Sequence, residues 1–126
     1  MYANEIYHIA KNTIPGCIGV FPLDKMPLHI GRAPKSLIVN TDTSNLEGKH
    51  WIAISYEQGG IMHAFDPLGF YYPPLLVSKL HSMPYQHIIY NRKMIQNPFA
   101  PTCGPHCIAF LKSRVNYYYR RKDCST

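Results

Sequence analysis

Residues 99–111 read "FAPTCGPHCIAFL", and the reading of this stretch decides the rest of the chain. Pro98 and Pro101 break the segment in front of it, and from Cys103 an apolar run with helical spacing begins. Pro105 is compatible with a helix only in the first turn, where its missing amide hydrogen costs nothing. The helix therefore starts at Cys103, and the spacing predicts that it runs to about Arg120. A cysteine at such a start meets exposed amides and the positive end of the helix dipole, which favour thiolate over thiol. The competing explanation is packing. Cys103 and Cys107 share one helix face, and free cysteine is among the most buried residue types.

The whole chain narrows the choice. Its 126 residues suffice for one hydrophobic core, so residues 1–126 are expected to form a single domain. With 46% hydrophobic and 16% charged residues the composition is that of a globular protein, which excludes extensive disorder. No apolar run approaches the ~20 residues of a membrane span. The opening "MYANEIYHIAKN" lacks the charged-then-apolar pattern of a secretory signal, so neither secretion nor membrane insertion is expected.

Cysteines at 17, 103, 107 and 124 are read as thiols, because nothing marks the chain as secreted. "CGPHC" brings Cys103, His106 and Cys107 together, but a structural zinc site needs a second ligand pair at short spacing, and none is present. No metal is expected. The net charge of +6 leaves open an anionic partner such as nucleic acid, with Arg92, Lys93, Lys112, Arg114, Arg120, Arg121 and Lys122 gathered late in the chain. Cations near a helix C-terminus also complement its dipole.

Residues 4–12 carry Ile6, Ile9 and Ala10 at helical spacing ahead of the Pro15-Gly16 break. "CIGVFPLDKMP" reads as irregular chain with short extended pieces. "SLIVNT" (36–41) and "HWIAISY" (50–56) are β-rich runs bounded by turn formers, and "EQGG" returns the chain into "IMHAF". "PPLLVSKLHSM" (73–83) begins with proline and sets Leu76, Leu80 and Met83 on one helix face. "HIIYNRKMI" (87–95) reads as a further strand and "QNPFAPT" as a loop. The expected fold class is α+β, a small mixed or antiparallel sheet packed on a central helix that carries Cys103 at its N-terminus.

A cysteine nucleophile needs a base within hydrogen-bond reach, and the base needs a group to orient it. Seven histidines compete. If the hairpin turns about Gln58, His50 sits opposite Asp66, close enough for a carboxylate to hold an imidazole. Asp66 also opens "DPLG", which fits a type I turn. His63 alternates with Ile61 and Phe65 and shares their face, while His106 is best explained by local contacts. An oxyanion formed by thiolate attack would need donors. The Cys103 amide supplies one, and the Gln96 side chain in the preceding loop could supply a second.

"GKHWIAISY", "FDPLGF" and "QNPFAPTCGPHCIAFL", with "GVFPLDKMP" and "SLIVNT" upstream, resemble the adenovirus-type cysteine endopeptidases, the adenain family, and the related proteases of Maverick or Polinton elements. The resemblance covers about residues 14–115. It implies that His50 is the base, Asp66 its orienting acid, Gln96 an oxyanion donor and Cys103 the nucleophile. The family acid is often Glu, and Asp66, one methylene shorter, asks the strands to approach more closely. The resemblance further implies a peptide-bond hydrolase that processes capsid or core precursor proteins in host cytoplasm, nucleus and virion. Small residues, glycine above all, would flank its scissile bond. The sequence requires no cofactor, although the family includes DNA-binding members and stimulation by DNA is an open expectation. A monomer is expected. No cysteine lies between 18 and 102, so a disulfide-captured peptide activator is not expected. Two alternatives remain open at this point: a deconjugating peptidase for ubiquitin-like proteins, in which the Gln lies one residue nearer the Cys, and a nucleic-acid-binding virion protein without enzymatic activity.

Overall fold

A computed structural model of the chain describes residues 3–41, 50–69, 72–91 and 103–124. The elements follow in the order α1 (Ala3–Thr13), β1 (Cys17–Pro22), β2 (Lys35–Asn40), β3 (Trp51–Glu57), β4 (Ile61–Phe65), α2 (Pro74–His81), β5 (His87–Tyr90) and α3 (Cys103–Cys124). The strands form one sheet in sequence order, with β1–β2 and β4–β5 parallel and the two central pairings antiparallel. Parallel neighbours need a crossover, supplied between β1 and β2 by the segment holding the 3-10 turn Leu23–Lys25 and between β4 and β5 by α2. The sheet is thus mixed, and the class is α+β.

Side-chain alternation divides the core into two layers. Ile38, Trp51, Ala53 and Phe65 face α1 and α3, where they pack with Ile6, Ala10, Ile14, Cys107, Ile108 and Leu111. Leu37, Val39, Ile52, Ile54, Met62 and Ala64 face the other way, onto Leu76 and Leu80 of α2 and onto Leu23 and Met26. A sheet covered on both faces reads as continuous apolar runs, which is why β2 and β3 are legible as "SLIVNT" and "HWIAISY". Ring stacking of Phe65 on Phe110, with centroids 4.4 Å apart and planes 4° from parallel, seats α3 on β4.

Three details differ from the sequence reading. Residues 17–22 form an edge strand, not irregular chain. Its register slips between Cys17 and Val20, around Gly19 at φ 143°, and this bulge breaks the alternation that would have revealed it. Helix α3 continues to Cys124, past Arg120. Strand β5 ends at Tyr90; residues 92–95 of the expected strand and the "QNPFAPT" loop lie outside the described residues. No helix among the described residues is long and apolar enough to cross a membrane.

Candidate active site

The β3–β4 hairpin carries the histidine and the aspartate. Its pairs run from Glu57↔Ile61 to Ala53↔Phe65, so the corner centres on Gly59 and not Gln58. Gly59 and Gly60 take φ of 82° and 71°, left-handed values that glycine adopts freely, and they draw the corner one residue later. Each cross-strand partner then moves by two residues. A shift of one would have sent His50 and Asp66 to opposite faces, whereas a shift of two preserves the face and makes them diagonal neighbours beyond the last ladder pair. The contact forms: His50 Nε2 lies 2.6 Å from Asp66 Oδ1.

Each partner is held from behind. The His50 carbonyl accepts from the Thr41 amide at 3.0 Å, which closes the β2–β3 end. Asp66, wholly buried, opens the expected type I turn, with the Gly69 amide donating to its carbonyl at 2.8 Å and the Leu68 amide to Oδ1 at 2.9 Å. The turn and the ion-pair readings of this aspartate hold together. The sequence reading missed two further contacts. The Tyr72 hydroxyl accepts from the Asp66 amide at 3.1 Å and directs its one proton toward the carbonyls of Ala64 (3.0 Å) and Asn91 (2.8 Å). Asn91 Nδ2 donates to the Asp66 carbonyl at 3.0 Å. The available signal was weak: a tyrosine before a proline pair, whose hydroxyl needs a partner once buried.

Cys103 is the first residue of α3. One turn on, Cys107 is completely buried and its thiol donates to the Trp51 carbonyl at 3.3 Å, next to His50. Gln96 and the side chain of Cys103 lie outside the described residues, so geometry is assigned only to the His50–Asp66 half of the expected site.

His63 belongs to a different cluster, at the hairpin end of β3. Glu57 there accepts from Arg114 Nε (2.8 Å) and Nη2 (2.6 Å) and from Ser55 Oγ (3.0 Å), with His63 Nε2 at 3.7 Å. Burial pushes the Glu57 carboxyl up, but the Arg114 hydrogen bonds and the neighbouring positive charges outweigh it and hold the group below the usual carboxylate range. Burial, together with the Arg114 charge, lowers His63 against the opposing pull of Glu57. The cluster ties α3 to the hairpin. Cys17 is a buried thiol pushed up by desolvation, and no metal-binding cluster occurs among the described residues.

With this geometry in place, comparison with known proteins gives the class. The family model described as adenovirus endoprotease matches residues 18–125, and the chain belongs to that family. It is 30% identical over 94 residues to the protease of Bovine adenovirus C serotype 10, covering 64% of this chain and 48% of that protein. To the protease of Porcine adenovirus A serotype 3 it is 28% identical over 95 residues, covering 64% and 47%. The chain thus spans about half the length of the relatives it matches.

Proposed function

We propose that the chain is a cysteine endopeptidase that processes capsid or core precursor proteins of a virus or virus-like element such as a Maverick or Polinton. Cys103 is its nucleophile, His50 its base, Asp66 the orienting acid and Gln96 an oxyanion donor. The observation that carries this reading is the 2.6 Å contact between His50 Nε2 and the buried Asp66 carboxylate. A carboxylate accepts only, so Nε2 bears the proton and Nδ1 is the basic nitrogen of the neutral ring.

The chemistry follows. His50 Nδ1 takes the Cys103 proton, and the thiolate adds to the scissile carbonyl. The oxyanion is stabilised by the Cys103 amide and the Gln96 side chain. Collapse breaks the C–N bond as the imidazolium protonates the leaving amine, which leaves a thioester on Cys103. Water, deprotonated by His50, then attacks the thioester, releases the acid product and restores the thiol. Asp66 keeps its negative charge throughout and stabilises the imidazolium. Family membership supports the reaction class, and the Cys107–Trp51 contact beside His50 supports the pairing of helix start and hairpin.

The test is hydrolysis of co-encoded capsid proteins and of glycine-containing peptides by the purified chain, alongside Cys103→Ala and His50→Ala. A thiol-directed irreversible probe should label Cys103, and His50→Ala should abolish the labelling. Labelling that survives His50→Ala would leave a packed or merely accessible cysteine.

A further inference from the structure

We propose that Tyr72 and Asn91 are positioning residues for Asp66, clamping its backbone so that the carboxylate stays aligned with His50. This inference rests on the function proposed above and assigns the source of the alignment. The antiparallel pairing of β3 and β4 ends at Ala53↔Phe65, so Asp66 lies one residue past the last ladder pair. The Gly69 and Leu68 amides that bond to Asp66 belong to its own turn; they shape the turn without fixing it to the sheet.

The tie to the scaffold comes from elsewhere in the chain. Tyr72, from the segment entering α2, takes the Asp66 amide proton at 3.1 Å. Asn91, at the end of β5, donates through Nδ2 to the Asp66 carbonyl at 3.0 Å. Both holding groups are anchored. The Asn91 amide donates to Ala64 O at 2.8 Å, which continues the β4–β5 pairing. The Tyr72 ring meets Tyr90 edge-to-face, with centroids 4.9 Å apart at 65°, and its hydroxyl points toward the carbonyls of Ala64 and Asn91. Two separate pieces of chain thus converge on one residue, Tyr72 on its amide and Asn91 on its carbonyl. A charge-assisted contact of 2.6 Å is sensitive to small displacements, and misplacements of about 1 Å in a catalytic group cost up to about 100-fold in rate.

Tyr72→Phe is the test, because the ring and its Tyr90 packing remain and only the hydroxyl goes. With a peptide substrate, kcat should fall by about 10- to 100-fold at little-changed KM. The alkaline limb of the pH–rate profile should move to lower pH, because a misaligned carboxylate holds the imidazolium less firmly. Asn91→Ala should act in the same direction, and it carries the test if Tyr72→Phe does not fold. Thermal melts accompany both. A Tyr72→Phe enzyme with wild-type kcat and profile overturns the proposal, and so does a lowered rate with an unmoved profile, which is the mark of lost stability alone. If the wild-type chain shows no Cys103-dependent hydrolysis, the proposed function has failed. The clamp is then read from the imidazole Nε2 proton of His50 by NMR: an upfield shift in Tyr72→Phe supports it, and an unchanged signal overturns it.

Discussion

Replacing Asp66 by asparagine separates the two services that a carboxylate can render to a histidine. The Oδ1 atom accepts both from His50 Nε2, at 2.6 Å, and from the Leu68 amide, at 2.9 Å. An amide oxygen placed there reproduces both bonds, so the imidazole keeps its tautomer and orientation and loses only the negative charge beside it. Hydrogen bonds to charged groups contribute about 1.5–3 kcal/mol and neutral ones about 0.5–1.5 kcal/mol. The difference of about 1–1.5 kcal/mol corresponds to roughly tenfold in rate. Steady-state kinetics on a glycine-containing peptide should therefore show kcat/KM lowered about tenfold in Asp66→Asn, with the alkaline limb of the profile displaced to lower pH. Asp66→Ala should do worse in rate and melt lower, since the half-buried Leu68 amide loses its acceptor. A loss near 10⁴-fold in Asp66→Asn, the size seen when a triad imidazole is turned to the wrong tautomer, would refute the single-oxygen reasoning. A wild-type rate would show that the charge contributes nothing.

Arg114→Ala should destabilise the fold by about 1–3 kcal/mol, between exposed and fully buried pairs, because the side chains of Arg114 and Glu57 are 23% and 12% exposed. The lowered Glu57 group stabilises the fold above its unfolded value of ~4.3 and ceases to as pH falls through its folded value, so the gap between wild type and Arg114→Ala in urea titrations should close below about pH 4; a gap undiminished at pH 3 would contradict the assignment. Iodoacetamide should modify Cys103 with an inflection below the free-thiol value of ~8.5, and long before Cys17 and Cys107, which are both buried. Mapping the adduct by mass spectrometry checks the order. Gln96→Ala should lower turnover by about 10²–10³-fold while leaving the melt and Cys103 labelling intact, and near-wild-type turnover would leave the oxyanion to backbone amides.

What the sequence discloses depends on whether a local period survives packing. Helix α3 is legible because Pro105 can stand only in a first turn, and β2 and β3 because burial of both faces makes continuous apolar runs. Strand β1 is not, since the irregularity around Gly19 destroys its alternation. A hairpin centred on Gln58 misplaces each cross-strand partner by two residues, yet the His50–Asp66 contact survives because face depends on parity alone. Tyr72 and Asn91 lie beyond such reasoning: they reach Asp66 through pairings 6 and 25 residues apart in the chain, made by the docking of β5 and the segment entering α2. No period or short motif encodes a contact of that kind.

The placement of α3 bears on the proposed chemistry through a group that takes no part in it. Cys107 donates to the carbonyl of Trp51, so one turn of the helix is pinned to the residue beside His50. Position 103 is four residues upstream, just over one turn and about 6 Å along the axis. Trp51 is itself buried against α3 and α1, and the His50 carbonyl is tied to Thr41 at the end of β2. The proposed nucleophile therefore stands one helical turn, and the proposed base one residue, from the same buried contact. Rigid elements hold reacting groups more closely than loops do, and an imidazole and a thiol must meet within hydrogen-bond distance before either group's acidity matters. On this argument the second cysteine of "CGPHC" is a packing residue whose position serves the first, which joins the two explanations that the motif allows.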